Sequence, residues 1–325
     1  MKRFQDILCV LNDRKSSKIA LQRAVSLALN NQARLKVIIV TTAVSIGMGM
    51  PEHGPISEEL QAVNFRERAN ELDSLLEPFR GQMKIHAEVL IGVQFLEIIR
   101  QVLRNGHDLV IKAPESEDWL DHLLGSEDMH LLRKCPCPVW LIKPSVQKTF
   151  RRIFAAIDVG DVYPADEMKT RRKLNQHILE MAYSLALADS AELHIVHAWQ
   201  AVGERAMRGS LLKKRKLDVD DYINEVRQQR RANLNQLLQT VSGDLGPDVI
   251  DNLKPQHHLV KGRARREIPA LVRKLEADLV VMGTVARTGI PGFFTGNTAE
   301  SILGQMDCSV LAIKPPGFKS PVTLV

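Results

Sequence analysis

Cysteine is scarce in this chain of 325 residues: Cys9, Cys135, Cys137 and Cys308 are all there are, and no Cys-x-x-Cys occurs among them. Each lies in or beside an apolar, strand-like run, so buried reduced thiols fit better than a disulfide framework. Cys135 and Cys137 flank Pro136, but two thiolates without a nearby histidine make a poor metal site, and no metal is expected. Long apolar runs are missing too. No stretch approaches the roughly 18 apolar residues of a membrane-spanning helix, so no membrane partner is expected. The start, MKRFQDILCVLND, is basic, yet its apolar run is short and fenced by Gln5, Asp6, Asn12 and Asp13, unlike a secretory signal. The expected location is cytoplasmic.

Catalytic patterns are also lacking. No Ser-His-Asp order, HExxH or GxxxxGK[ST] is present, so no catalytic residue is assigned and no enzyme is expected. His194 and His197 lie three apart in a strand-like run, where alternation puts them on opposite faces and argues against a shared metal. His257 and His258 point two ways in the same sense, and all four read as structural or surface residues. Aromatics make up 5% of the chain, and none interleaves with the basic run of LLKKRKLDVDDY, where Lys213, Lys214, Arg215 and Lys216 precede three aspartates. Despite a net charge of +6, this composition indicates a solvated face and argues against nucleic acid as a partner.

What the chain does have is length, a core and a repeat. Its 325 residues suggest two domains, and 45% apolar with 25% charged residues suits globular folding. AVSLALNNQARLKVIIV (24–40) matches AYSLALADSAELHIVHA (182–198), and CPVWLIKP (137–144) matches CSVLAIKP (308–315). Between them, VLIGVQFLEIIRQVLRNGHDLVIK (89–112) matches HLVKGRARREIPALVRKLEADLVVM (258–282), with Gly92 and Gly262 at the same strand-to-helix turn. Continuous apolar strands alternate with helical patterns in both halves, which predicts α/β architecture: two doubly wound parallel-sheet domains in tandem. The expected boundaries are 1–146, 150–316 and a tail at 317–325, joined by the polar segment SVQKTF. SIGMGMPEHGP, with Met48 and Met50, reads as a loop that either lids a pocket, touches a partner or fills the core.

The run ADLVVMGTVARTGI, followed by TGNTAESIL and CSVLAIKP, resembles the universal stress proteins, and the two-domain arrangement resembles the tandem, E-type group of that family. The resemblance implies flavodoxin-like (Rossmann-like) domains of five strands, packed as a pseudo-dimer through the last strands, here the runs ending at Lys143 and Lys314. It also implies a stress-response role through protein partners or a small anionic or apolar ligand, with further self-association open. Nucleotide-binding members carry Gly, two residues, Gly, nine residues, Gly, then Ser or Thr. Here that register gives Gly283, Ala286, Gly296 and Asn297, so two of four positions are altered.

Glycines let main-chain amides approach phosphate, and a helix start favours anions. Ala286 places a methyl on that path, while Asn297 can cap the helix and donate. Arg287, Thr288 and Thr298 add a cation and hydroxyls, and Asp158 closes the first strand of the second half at the ligand-binding edge. Arg263, Arg265 and Arg266 open a helix against its dipole, which suits an anion. No cofactor is assigned; ATP is the candidate for the second half, expected to bind weakly or not at all, and Ala286→Gly is expected to improve it. The first half has Ala113, Ser116, Gly125 and Ser126 in register with that loop, amid acidic residues, and is expected to bind no nucleotide. Three functions stay open: a non-enzymatic ligand-binding or signalling module, a slow ATP-hydrolysing or autophosphorylating protein using 283–298, or a binder of a partly apolar ligand near Ile290, Phe293 and Phe294.

Overall fold

Runs such as DILCVL and LVIK hold no polar alternation, and a strand of that kind is stable only when both its faces are covered. The computed structural model describes residues 4–12, 14–43, 55–114, 126–143, 149–209, 216–246, 252–284 and 296–324. Its first half contains β1 (Asp6–Leu11), α1 (Arg14–Asn31), β2 (Arg34–Thr41), α2 (Pro55–Leu76), β3 (Ile85–Ile91), α3 (Gln94–Asn105), β4 (Leu109–Lys112), α4 (Glu127–Lys134) and β5 (Val139–Leu141). The second half contains β6 (Arg152–Ala156), α5 (Ala165–Asp189), β7 (Glu192–Trp199), α6 (Glu204–Arg208), α7 (Lys216–Leu245), β8 (Gln256–Lys261), α8 (Ala264–Lys274), β9 (Leu279–Gly283), α9 (Asn297–Leu303) and β10 (Ser309–Ile313). Among the described residues no helix is long and apolar enough to cross a membrane.

The chain forms two compact units, one of residues 1–148 with 307–325 and the other of residues 149–306. In the first unit the strands run β3-β2-β1-β4-β5-β10. All pairings are parallel except the last, where Val310 faces Leu141 and Ala312 faces Val139 in antiparallel register. The expected side-by-side packing of the two IKP-ending strands is therefore present. Residues 307–316 belong to the second half by repeat but pack in the first unit, because β10 finds its antiparallel partner in β5. β1, β4 and β5 are buried throughout, whereas the edge strand β3 is mostly exposed.

The second unit orders its strands β9-β6-β7-β8, all parallel. In both units the strand order reverses beside the first strand, between β1 and β4 and between β6 and β9, and a crevice opens at the carboxyl ends there. α7 covers β7 and β8 through Trp199, Val219 and Ile223, with Tyr222 and Leu259 packed against them. The repeated glycines behave alike. Gly92 has φ +156° and Gly262 φ +150°, and a Cβ at either would meet the side chain of Glu97 or Glu267 at 2.9 and 2.4 Å.

Candidate functional site

The crevice of the second unit is a cavity of about 580 Å³. Its walls come from the ends of β6, β7 and β9, from α5, and from the starts of α8 and α9. β6 runs directly into Asp158, which is held on every side. Asp158 Oδ2 accepts from the Tyr163 hydroxyl and from Arg171 Nη1, each at 2.8 Å, and Oδ1 accepts from the Gly160 amide at 3.0 Å. Asn175 clamps the backbone: the Asp158 amide donates to Asn175 Oδ1 at 3.1 Å, and Asn175 Nδ2 donates to the Asp158 carbonyl at 2.6 Å. Arg171 also pairs with Glu167 one turn earlier and stacks over the Tyr163 ring at 3.7 Å. Burial, followed by the Asp158 charge and hydrogen bond, pushes the Tyr163 phenol up to about 12, which keeps it a neutral donor.

Asp158 thus sits where the sequence placed it, but its partners Tyr163, Arg171 and Asn175 were not anticipated. Nothing in the sequence spacing reveals that α5 turns back over the end of β6. His197, read as a structural or surface residue, is buried and lines the cavity, with Nδ1 3.9 Å from Asp158 Oδ1. Strand alternation did hold: His194 faces the other side of the sheet, stacked on Phe154 at 4.7 Å and bonded to His258 at 2.9 Å. Burial holds the His197 imidazole below its ordinary value, so it is neutral. Among the described residues, His197 Nε2 and the indole nitrogen of Trp199 are buried without a hydrogen-bond partner, and both residues line the cavity. Buried donors and acceptors of this kind cost about 1–3 kcal/mol each when left unpaired.

The basic side of the cavity comes from the turn into α8. Arg263 is the N-cap residue with no side-chain cap, so the first amides of α8 are not satisfied by a capping side chain. Arg263 and Arg265 line the cavity, while Arg266 stays 86% exposed. Arg230, on α7, completes the lining and pairs with Asp161. No group of three or more His, Cys, Asp or Glu among the described residues could hold a metal.

The glycine loop divides. Gly283 ends β9 in the lining, and a Cβ there would meet Leu174 Cδ2 at 2.7 Å, so close helix packing accounts for this glycine. Gly296 is the N-cap of α9 and Asn297 its first helical residue, which corrects the capping role expected of Asn297. The helix starts one residue earlier because the Gly296 amide bonds to the Thr284 carbonyl at 3.1 Å and fixes the chain there. Thr298 and Ala299 line the cavity, whereas Gly296 and Asn297 do not. Ala286, Arg287, Thr288, Ile290, Phe293 and Phe294 lie outside the described residues, as do Met48, Met50, Ser116, Gly125 and Lys213–Arg215.

The corresponding positions of the first unit carry charged residues paired with one another. Strand register makes Asn12, Lys112 and Ala113 the counterparts of Asp158, Met282 and Gly283. Lys112 is ion-paired with Asp128, whose counterpart is Ala299, and both side chains are fully buried. The Gln94 and Asn12 side-chain amides are hydrogen-bonded to each other at 2.9 Å. Glu127 Oε2 accepts from the Phe95 amide at 2.8 Å, so a carboxylate already sits on the start of α3. In the second unit that pair of positions is Thr298 and Arg265. Ser126, a surviving motif residue, caps α4 by accepting from the Met129 amide at 3.2 Å.

The chain is similar to known proteins. The model of the Universal stress protein family matches residues 3–143 and 163–314. Universal stress protein E of Photorhabdus laumondii is 26% identical over 329 residues, spanning 99% of this chain and 98% of its own. The protein of the same name from Escherichia coli K12 is 28% identical over 335 residues, covering 100% and 98%. A crystal structure described as a putative universal stress protein from Pseudomonas aeruginosa superposes with a TM-score of 0.69 at 24% identity, covering 97% of this chain and 94% of that one.

Proposed function

The chain belongs to the universal stress protein family, and from that premise we propose that it is a non-enzymatic stress-response module whose second unit binds a small anionic ligand. One observation carries the reading: the crevice is lined by arginines in the second unit, whereas at the corresponding positions the first unit holds its own buried ion pair and a carboxylate on the helix start. Where Glu127 satisfies the start of α3, the start of α8 has Thr298, flanked by Arg263 and Arg265. An anion there would take the role that Glu127 plays in the first unit. Asp158, the Tyr163 hydroxyl and the neutral His197 face polar groups at the other end.

The remaining wall is apolar: Ile157, Leu174, Ile178, Ile268 and Met282. That lining favours, as a second reading, an anion that carries an apolar part. ATP fits less well, because Gly283 is accounted for by packing against Leu174 rather than by phosphate approach. Isothermal titration of the full chain with ATP, AMP and inorganic phosphate tests the proposal. Weak saturable binding that falls at least tenfold in Arg263→Ala/Arg265→Ala is expected. No binding of any of the three, or binding indifferent to both arginines, would overturn it.

A further inference from the structure

β8 is the edge strand of the second unit, and among the described residues β7 is its one strand neighbour. Gln256, His257 and Lys261 are exposed along it, while His258, Leu259 and Val260 are half-buried. Beside this edge lies a groove of about 510 Å³ that shares no lining residue with the crevice. One wall is β8 from His257 to Val260; the other is α7, through Arg227, Arg231, Leu234 and Asn235. Arg227, Arg231 and Asn235 recur every four residues and so share one face of the helix. Leu259 packs against the cluster of Trp199, Val219 and Ile223, the last two on α7, so it and His257, two residues earlier, face that helix.

The groove carries charge of one sign. No carboxylate lines it. Arg227 and Arg231 are exposed, and among the described residues neither guanidinium has an ion pair or a hydrogen bond. Arg230 on the same helix, by contrast, pairs with Asp161. The matching edge of the first unit is neutralised. Strand register puts Glu88 of β3 where β8 has His258, and Glu88 is ion-paired with Lys36 at 2.7 Å. In the second unit His194 stands in the place of Lys36 and bonds to His258.

We propose that this edge docks an extended acidic segment of a partner protein, which adds as a strand beside β8 and sets its carboxylates on Arg227 and Arg231. An edge strand presents a row of unpaired N–H and C=O groups, and an extended chain laid along it takes them up. The spacing agrees with the charge. Four residues of helix rise about 6 Å, and two residues of strand span about 6.6 Å. Acidic residues at alternate positions of the added strand therefore meet successive arginines, while the residues between them turn to the other face, the side of Val260. A second copy of this chain fits poorly, because β8 laid against β8 brings arginines of like charge together.

Fluorescence anisotropy of the full chain at low ionic strength, with labelled peptides, tests the proposal. One peptide alternates Glu and Val, and a second has the same composition with every Glu before every Val. A third is the alternating peptide with its amides N-methylated, which keeps the charge and removes the main-chain donors. Saturable binding of the alternating peptide is expected, at least tenfold tighter than that of the other two. Arg227→Gln/Arg231→Gln and Arg227→Glu/Arg231→Glu, at exposed positions where folding is retained, should each weaken it at least tenfold. Equal binding of all three peptides would show a plain anion site and overturn the added strand. No binding of the alternating peptide, or binding indifferent to both arginines, would overturn the proposal as a whole.

Discussion

Thr298→Glu would copy into the second unit the carboxylate that sits on the helix start in the first. In the first unit Glu127 Oε2 lies 2.8 Å from the Phe95 amide at the start of α3. Thr298 and Arg265 occupy those positions in the second unit, and Thr298 is exposed, so a longer side chain has room. A carboxylate on a helix start stabilises by about 0.3–1 kcal/mol. For a unit of this size that raises the melting temperature by roughly 1–4 °C. The same charge opposes an incoming anion: two like charges about 4 Å apart cost about 4 kcal/mol at an effective dielectric near 20, before salt screening. Even a third of that repulsion weakens binding about tenfold. Thermal melts and titration with ATP and inorganic phosphate, both at low ionic strength, read the two effects together. A stabilised variant that binds both probes as well as the wild type would show that the anion does not sit at the start of α8.

Lys112→Met should destabilise the first unit by about 3–5 kcal/mol, because Asp128 loses its buried partner. Lys112→Met/Asp128→Ala, which installs the second unit's residues, should recover most of that loss in urea melts; a double variant as unstable as the single one would deny that charge burial is the cause. Gly283→Ala should cost about 1–3 kcal/mol by overpacking Leu174, and pairing it with Leu174→Ala should make the two changes non-additive in chemical denaturation. Burial holds His107, His194 and His197 below their ordinary values in the folded chain, so below pH about 6.5 the unfolded chain takes up protons that the folded one refuses. Stability should therefore fall as pH drops from about 6.5 toward 5, and constant melting temperatures across that range would contradict the assignment of neutral imidazoles.

The sequence by itself determined the repeated α/β plan. Apolar strand runs and amphipathic helices are local patterns, and their recurrence at a nearly constant offset marks one design used twice. The turn glycines were legible for the same reason: Gly92 and Gly262 carry a positive φ that a residue with a Cβ rarely adopts. Asp158 was placed at the ligand edge because open α/β sheets bind at the carboxyl ends of their strands, and Arg263, Arg265 and Arg266 were singled out because they open a helix against its dipole. Only the tertiary structure decided what those residues do. Asp158 meets Arg171 and Tyr163 because α5 folds back over β6, and Gly283 is small because Leu174 comes down on it. Both are contacts between elements whose approach depends on how whole layers pack. Likewise, Lys112 with Asp128 reads in sequence as two charges 16 residues apart. Burial turns them into an ion pair in the first unit, while Met282 and Ala299, in the same places of the second unit, carry no charge and line its cavity.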